Sequence, residues 1–342
     1  MIARAQRYAC PVSVRAVDWS RWPAVVFESD DWGSTPVVRT EEERADMLTH
    51  LSTEAGVFVD DPAVMERLFS ILSRFPGADG RPAVFTAFVL PAFPDFRAIK
   101  QSNFAAYTDI GMAEGFAPFG EQGAIARVWR EGWGGGVFHP EFHARLHHTS
   151  PILWLELLGG TGPDADRARE RFGRFAYAQG RHIPEFARMD ARAQYEWTAE
   201  GIRLFTEAVG YAPSAAVTSD ATPITEIVWA VSGIRTFCLR NCRNNQGEVV
   251  VYDTKPWNAQ DPYSHMGEYD SETGLVSLNR NVFFENLQAD QGTDAALSAI
   301  AAAWKRNEPA LTMSLSARCS HHRPNPTKSA LRWNCCDKPA PF

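Results

Sequence analysis

Short β-rich runs alternate with helical stretches along most of this chain, and the runs lie too far apart to be joined as hairpins. The runs are PAVVFES ending at Ser29, RPAVFTAFVLP from Arg81, SAAVTS from Ser214, GIRTFCL from Gly233, GEVVVYD from Gly247, GLVSLNRNV from Gly274 and ALTMSLS from Ala310. Between them stand EEERADMLTHL, AIARVWREGW, ITEIVWAVSG and DAALSAIAAAWKR. Strands separated by helices pair in parallel through crossovers. Several runs are almost continuously apolar, as strands covered on both faces must be. An α/β fold follows, either a barrel or a doubly wound sheet. The segment from Pro163 to Tyr211 is long, charged and helical, and reads as an excursion at about 163–211 on the rim of that sheet. No internal repeat or low-complexity linker divides the chain, so a single domain over 1–342 is expected.

Composition removes several function classes. The chain has 342 residues with 45% hydrophobic and 22% charged, which is enough apolar material for a large core. A net charge of -7 and the lack of a basic run argue against nucleic acid as a partner. No stretch approaches the ~18 to 20 apolar residues of a membrane span. Cys10, Cys238, Cys242, Cys319, Cys335 and Cys336 have neither zinc-ribbon spacing nor disulfide-scaffold density. With Arg4, Arg7 and Arg15 interrupting the N-terminal stretch, a cytoplasmic location is the expectation.

Six of the nine histidines fall in two clusters, one of His139, His143, His147 and His148, the other of His321 and His322. In FHPEFHARLHH, Pro140 suits a first helical position, so a helix is expected to begin there with Glu141 in its first turn. His143 and His147 would then lie on one face about 6 Å apart at Cβ, a spacing that suits one zinc or neighbouring first-row ion. A third ligand is sought in ESDDWGS. Glu28, Asp30 and Asp31 follow directly on an apolar strand, at the strand end where α/β sheets and barrels place their sites. One Asp can hold a metal while its neighbour takes a proton from water.

A strand ending in Asp-Asp, two histidines four apart and a late histidine after another strand together resemble the polysaccharide deacetylase (NodB-homology) family of carbohydrate esterases. HARLHH resembles the His-Gly-Arg-Glu-His motif of a divergent branch, with Ala144 and Leu146 standing where that motif has Gly and Glu. LNRNVFFEN resembles a segment with an Arg-Asn pair, here Arg280 and Asn281, and SHHRPN resembles a terminal His-Arg-x-Asn, here His322, Arg323 and Asn325. The likeness runs from about Val25 to Asn325 and leaves the tail 326–342 outside.

The resemblance implies a distorted (β/α) barrel with its core at about 22–325 and the helical insertion. It implies Asp30 as base, Asp31, His143 and His147 as metal ligands, His322 as the acid, and Arg145, Arg280, Asn281, Arg323 and Asn325 at the substrate. The cofactor implied is a divalent metal, zinc first, with cobalt, nickel or manganese as alternatives. The implied reaction is removal of an N- or O-linked acetyl group from a saccharide. Two other readings stand beside it, a catalytically silent carbohydrate-binding protein and a glycoside hydrolase. The latter normally wants two carboxylates facing across a sugar. Trp32, Trp133 and Trp257 offer aromatic faces for sugar rings, with core packing as the competing explanation.

Overall fold

The computed structural model describes residues 23–33, 62–115, 120–146, 150–172, 185–218, 223–239, 267–283 and 292–315, with a few short pieces between them. Its strands in chain order are β1 (Val25–Trp32), β2 (Phe85–Val89), β3 (Ala92–Pro94), β4 (Asp109–Gly111), β5 (Phe138–Phe142), β6 (Ala215–Val217) and β7 (Thr236–Leu239). They continue as β8 (Cys242–Arg243), β9 (Val249–Val250), β10 (Ser264–His265), β11 (Glu268–Tyr269), β12 (Val276–Asn279), β13 (Val282–Phe283) and β14 (Ala310–Leu315). Among the described residues, nine of them form one sheet in the order β11-β12-β7-β6-β5-β2-β1-β14-β13. Its neighbours pair in parallel except β11 with β12. The fold is therefore α/β with a mostly parallel sheet.

Most of the expected runs are strands of this sheet. GEVVVYD is different, because Val249–Val250 pairs within a separate three-stranded sheet of order β10-β8-β9. Helices occupy the crossovers, with Pro62–Leu72 between β1 and β2, Gly120–Gly134 before β5, Pro223–Val231 between β6 and β7, and Gly292–Lys305 before β14. Helix Ala191–Val209 connects β5 to β6. Asp190 caps its start by accepting from the Ala193 N–H, and Gly210 ends it at φ 93, a left-handed turn that glycine adopts without a Cβ clash. Its Phe205 lies in the main core with Phe142 and Trp229. That helix belongs to the layer covering the sheet, where the sequence suggested an excursion on its rim. Among the described residues, no helix is long and apolar enough to cross a membrane.

Alternation along the strands sorts side chains into two populations. Ala87, Val89, Phe138, Phe142, Ala216 and Phe237 share a core with the crossover helices. Phe88, Val217 and Cys238 form a separate cluster. Each is one residue out of step with a helix-facing neighbour, so this cluster marks the opposite face of the sheet.

The segment 276–283 belongs to two distant parts of the sheet. Its first half, β12, pairs with β7, while its second half, β13, pairs with β14. Only Arg280 and Asn281 separate the two halves. The side chain of Asn281 stitches the second half in place, donating to Pro309 O at 3.0 Å and accepting from the Leu311 N–H at 2.9 Å. Those bonds add to the backbone contact at this point, where the Asn281 N–H donates to Leu311 O at 3.2 Å.

Candidate functional site

β1 carries Glu28, Asp30 and Asp31 in its last turn of pleat, all buried. Residues two apart on a strand share a face, which directs Glu28 and Asp30 together. Regular alternation would send Asp31 the other way. Instead, the register of β1 against β2 shifts between Ser29 and Trp32, and Asp31 takes φ 65. A bulge of this kind re-aims one side chain, and aspartate tolerates the left-handed region better than most residues. Gly33 completes the turn at φ +76, where a Cβ would stand 2.9 Å from the Leu90 carbonyl oxygen.

The His143 ring meets Asp31 directly, with Nε2 at 3.2 Å from Oδ1. Both residues are buried, His143 at 3% and Asp31 at 7% exposure. The route to that contact differs from the helix expected from Pro140. Phe138–Phe142 is strand β5, pairing with β2 from Phe85↔Phe138 to Val89↔Phe142, and His143 follows with its N–H on Val89 O at 2.9 Å. Pro140 is tolerated because β5 meets β6 only at Phe142↔Ala216, leaving no ladder partner for the missing N–H on that side. Extended geometry puts His139 and His143 about 13 Å apart, at ~3.3 Å per residue, so they cannot share an ion. His139 lies beside the stacked pair of Trp133 and Tyr211, whose ring centroids are 4.4 Å apart, and Glu141 accepts from the N–H groups of Ser214 and Ala215, both at 2.9 Å. These residues bind β5 to the start of β6.

Asp30 is fully buried and gripped by Arg280, whose Nη1 and Nη2 donate to its two oxygens at 2.6 Å each. The same guanidinium donates Nε–H to Glu28 Oε2 at 2.9 Å. Burial pushes the Glu28 carboxyl up from its ordinary value, with Arg280 as the largest opposing influence. Burial also raises the Cys238 thiol, whose Sγ–H donates to Glu28 Oε1 at 3.8 Å. Two carboxylates thus face one cation beneath the end of β1.

The loop after His143 is held by Glu185. Its Oε1 accepts from the N–H groups of Arg145 and Leu146, both at 2.9 Å, and from Trp197 Nε1 at 2.7 Å. Ala144, where the resembling motif has Gly, takes φ 53. A left-handed alanine costs about 1–2 kcal/mol, which explains a preference for glycine there. Leu146, where the motif has Glu, packs with Ala92 and Leu204. The Arg145 guanidinium is engaged by Asp109 at 2.8 and 3.0 Å and lies 3.9 Å over Trp197. Nothing in the sequence pointed to Asp109 or Glu185, because each acts across 36 to 40 residues of chain.

The structure therefore brings together Asp30, Asp31, His143 and Arg280, with Asn281 beside the last. Of the residues expected at the substrate, Arg145, Arg280 and Asn281 each bond to protein groups. His147, His148, His321, His322, Arg323, Asn325 and Trp257 lie outside the described residues. Trp32 packs edge-on to Phe85 and Phe138 in the core, while Trp133 is half-exposed.

Two ligands on one tetrahedral ion at ~2.0–2.2 Å stand about 3.3–3.6 Å apart. The 3.2 Å between Asp31 Oδ1 and His143 Nε2 is slightly shorter than the low end of that range. Among the described residues no three His, Cys, Asp or Glu side chains form a metal-holding group, so any third protein ligand comes from beyond them.

No protein-family model matches the chain, and no curated protein matches it. Among solved structures, a Mycobacterium smegmatis protein described as a polysaccharide deacetylase is similar at 13% identity and a TM-score of 0.39, over 91% of this chain and 80% of that one. Puue allantoinase is similar at 12% identity and a TM-score of 0.39, over 92% and 83%. The Streptococcus pyogenes deacetylase PplD is similar at 10% identity and a TM-score of 0.32, over 81% and 97%.

Proposed function

We propose that this protein is a metal-dependent hydrolase that removes acetyl groups from a saccharide, built on a distorted (β/α) barrel that the segment 276–283 closes. The observation that carries the reading is the buried Asp31–His143 contact of 3.2 Å beside an Asp30 held on both oxygens by Arg280. Asp31 and His143, with His147, hold a divalent metal, zinc first. When bound, the ion supplies Lewis acidity that brings the pKa of water toward ~7. Asp30 takes the proton of the attacking water. Arg280 keeps that carboxylate oriented. His322 gives a proton to the departing nitrogen or oxygen, and Arg323 and Asn325 contact the saccharide.

The metal assignment is tested by titrating the apo protein with zinc in a calorimeter. Wild type is expected to bind one ion per chain. Asp31→Asn and His143→Ala are each expected to weaken it by more than about 10²-fold, since even outer-shell partners are worth ~10- to 100-fold. Their melting temperatures should stay near that of the wild type. Undiminished zinc binding in both variants would remove the site.

A further inference from the structure

We infer that Glu28 is a positioning residue for Asp30, acting through Arg280. The inference rests on the reading of Asp30 as the base. A bidentate carboxylate–guanidinium pair is rigid within its own plane, but it can swing as a unit, because χ2 of aspartate is a broad, soft torsion. A hold on the Nε hydrogen, which lies at the other end of the guanidinium, opposes that swing. Glu28 Oε2 takes that hydrogen at 2.9 Å, from a position two residues before Asp30 on the same face of β1.

Glu28 is itself anchored. Its backbone N–H donates to Thr312 Oγ1 at 3.3 Å, and its other carboxylate oxygen receives the Cys238 thiol at 3.8 Å. The Phe88 ring lies 5.3 Å from the guanidinium carbon and limits its tilt. One strand thus fixes both ends of the fork that orients the base. A proton acceptor must be held to within roughly 0.5 Å and 10–20° to work, and a displacement of ~1 Å costs on the order of 10²-fold.

Three variants separate this role from general support of the fold. Glu28→Gln keeps an oxygen that accepts from Nε. Glu28→Met keeps the volume and loses the acceptor, and Glu28→Asp keeps the charge but falls one methylene short. Zinc-loaded full-length protein is assayed for acetate release, and the Arg280 Nε–H proton is followed by ¹⁵N–¹H spectroscopy. Glu28→Gln is expected to retain kcat within about threefold and a near-native Nε–H resonance. Glu28→Met and Glu28→Asp are expected to lose about 10- to 10²-fold in kcat, with KM and zinc binding unchanged and the Nε–H proton moved upfield. If Glu28→Met does not fold, Glu28→Asp carries the comparison.

Wild-type kcat in the Met and Asp variants, or a Gln variant as impaired as they are, would overturn the inference. A wild type silent on every acetylated saccharide removes Asp30 as base. The Nε–H resonance then decides the anchoring of Arg280 without any turnover.

Discussion

Arg280→Leu is expected to lower folding stability by about 3–5 kcal/mol at pH 8, the range seen when one partner of a buried ion pair is removed. Arg280 is wholly buried and is shared by Glu28 and Asp30, both of which the substitution would deprive of that cation. The loss should depend on pH with a definite sign. Burial already raises the Glu28 carboxyl above its ordinary 4.5, and Arg280 is the strongest influence pulling it down. Without Arg280 the folded chain holds a proton on Glu28 to higher pH than the unfolded chain does. Stability then falls as pH rises above that ordinary value, because the native state binds more protons. Denaturant unfolding at pH 5 and pH 8 should therefore show the smaller deficit at pH 5. A deficit under about 1 kcal/mol at pH 8, or one that is equal at both pH values, would contradict the described triad.

Asp30→Asn is expected to reduce turnover by roughly 10²- to 10⁴-fold, the usual worth of a positioned general base. The substitution keeps one oxygen for an Arg280 Nη but presents an amide group to the other, so the fork is half broken. Zinc affinity should change little, because Asp30 bonds to Arg280 whereas Asp31 faces His143. Steady-state kinetics on the zinc-loaded variant give the answer, and turnover within threefold of wild type would take the base role away from Asp30.

The strands were legible because burial on both faces leaves an apolar run that few other elements produce. β2, β6, β7 and β14 lie within such runs, and β1 begins in one. Asp30 and Asp31 were legible as a strand end, although β1 continues through them to Trp32. The HPEFH segment misled because its i, i+4 histidines and Pro140 mimic a helix start, while the strand's dependence on β2 is a long-range pairing that no local pattern shows. The bulge at Asp31 was equally invisible. It is a register shift between two strands, and only the neighbour reveals it. Arg280 was singled out by resemblance and expected at the substrate. Its grip on Asp30 spans 250 residues and depends on β12 and β13 bringing opposite ends of the sheet onto one short segment. Glu28 could be placed from sequence alone to the extent that it sits two residues before Asp30 and so shares its face.

The measurement that bears most directly on the central claim is acetate release from a panel of N- and O-acetylated saccharides by the zinc-loaded chain, run with and without a chelator. Release that stops when the metal is withdrawn and returns when zinc is restored is the predicted result. Release that continues unchanged in chelator would contradict metal dependence, and silence across the panel with zinc bound would favour a carbohydrate-binding role in its place.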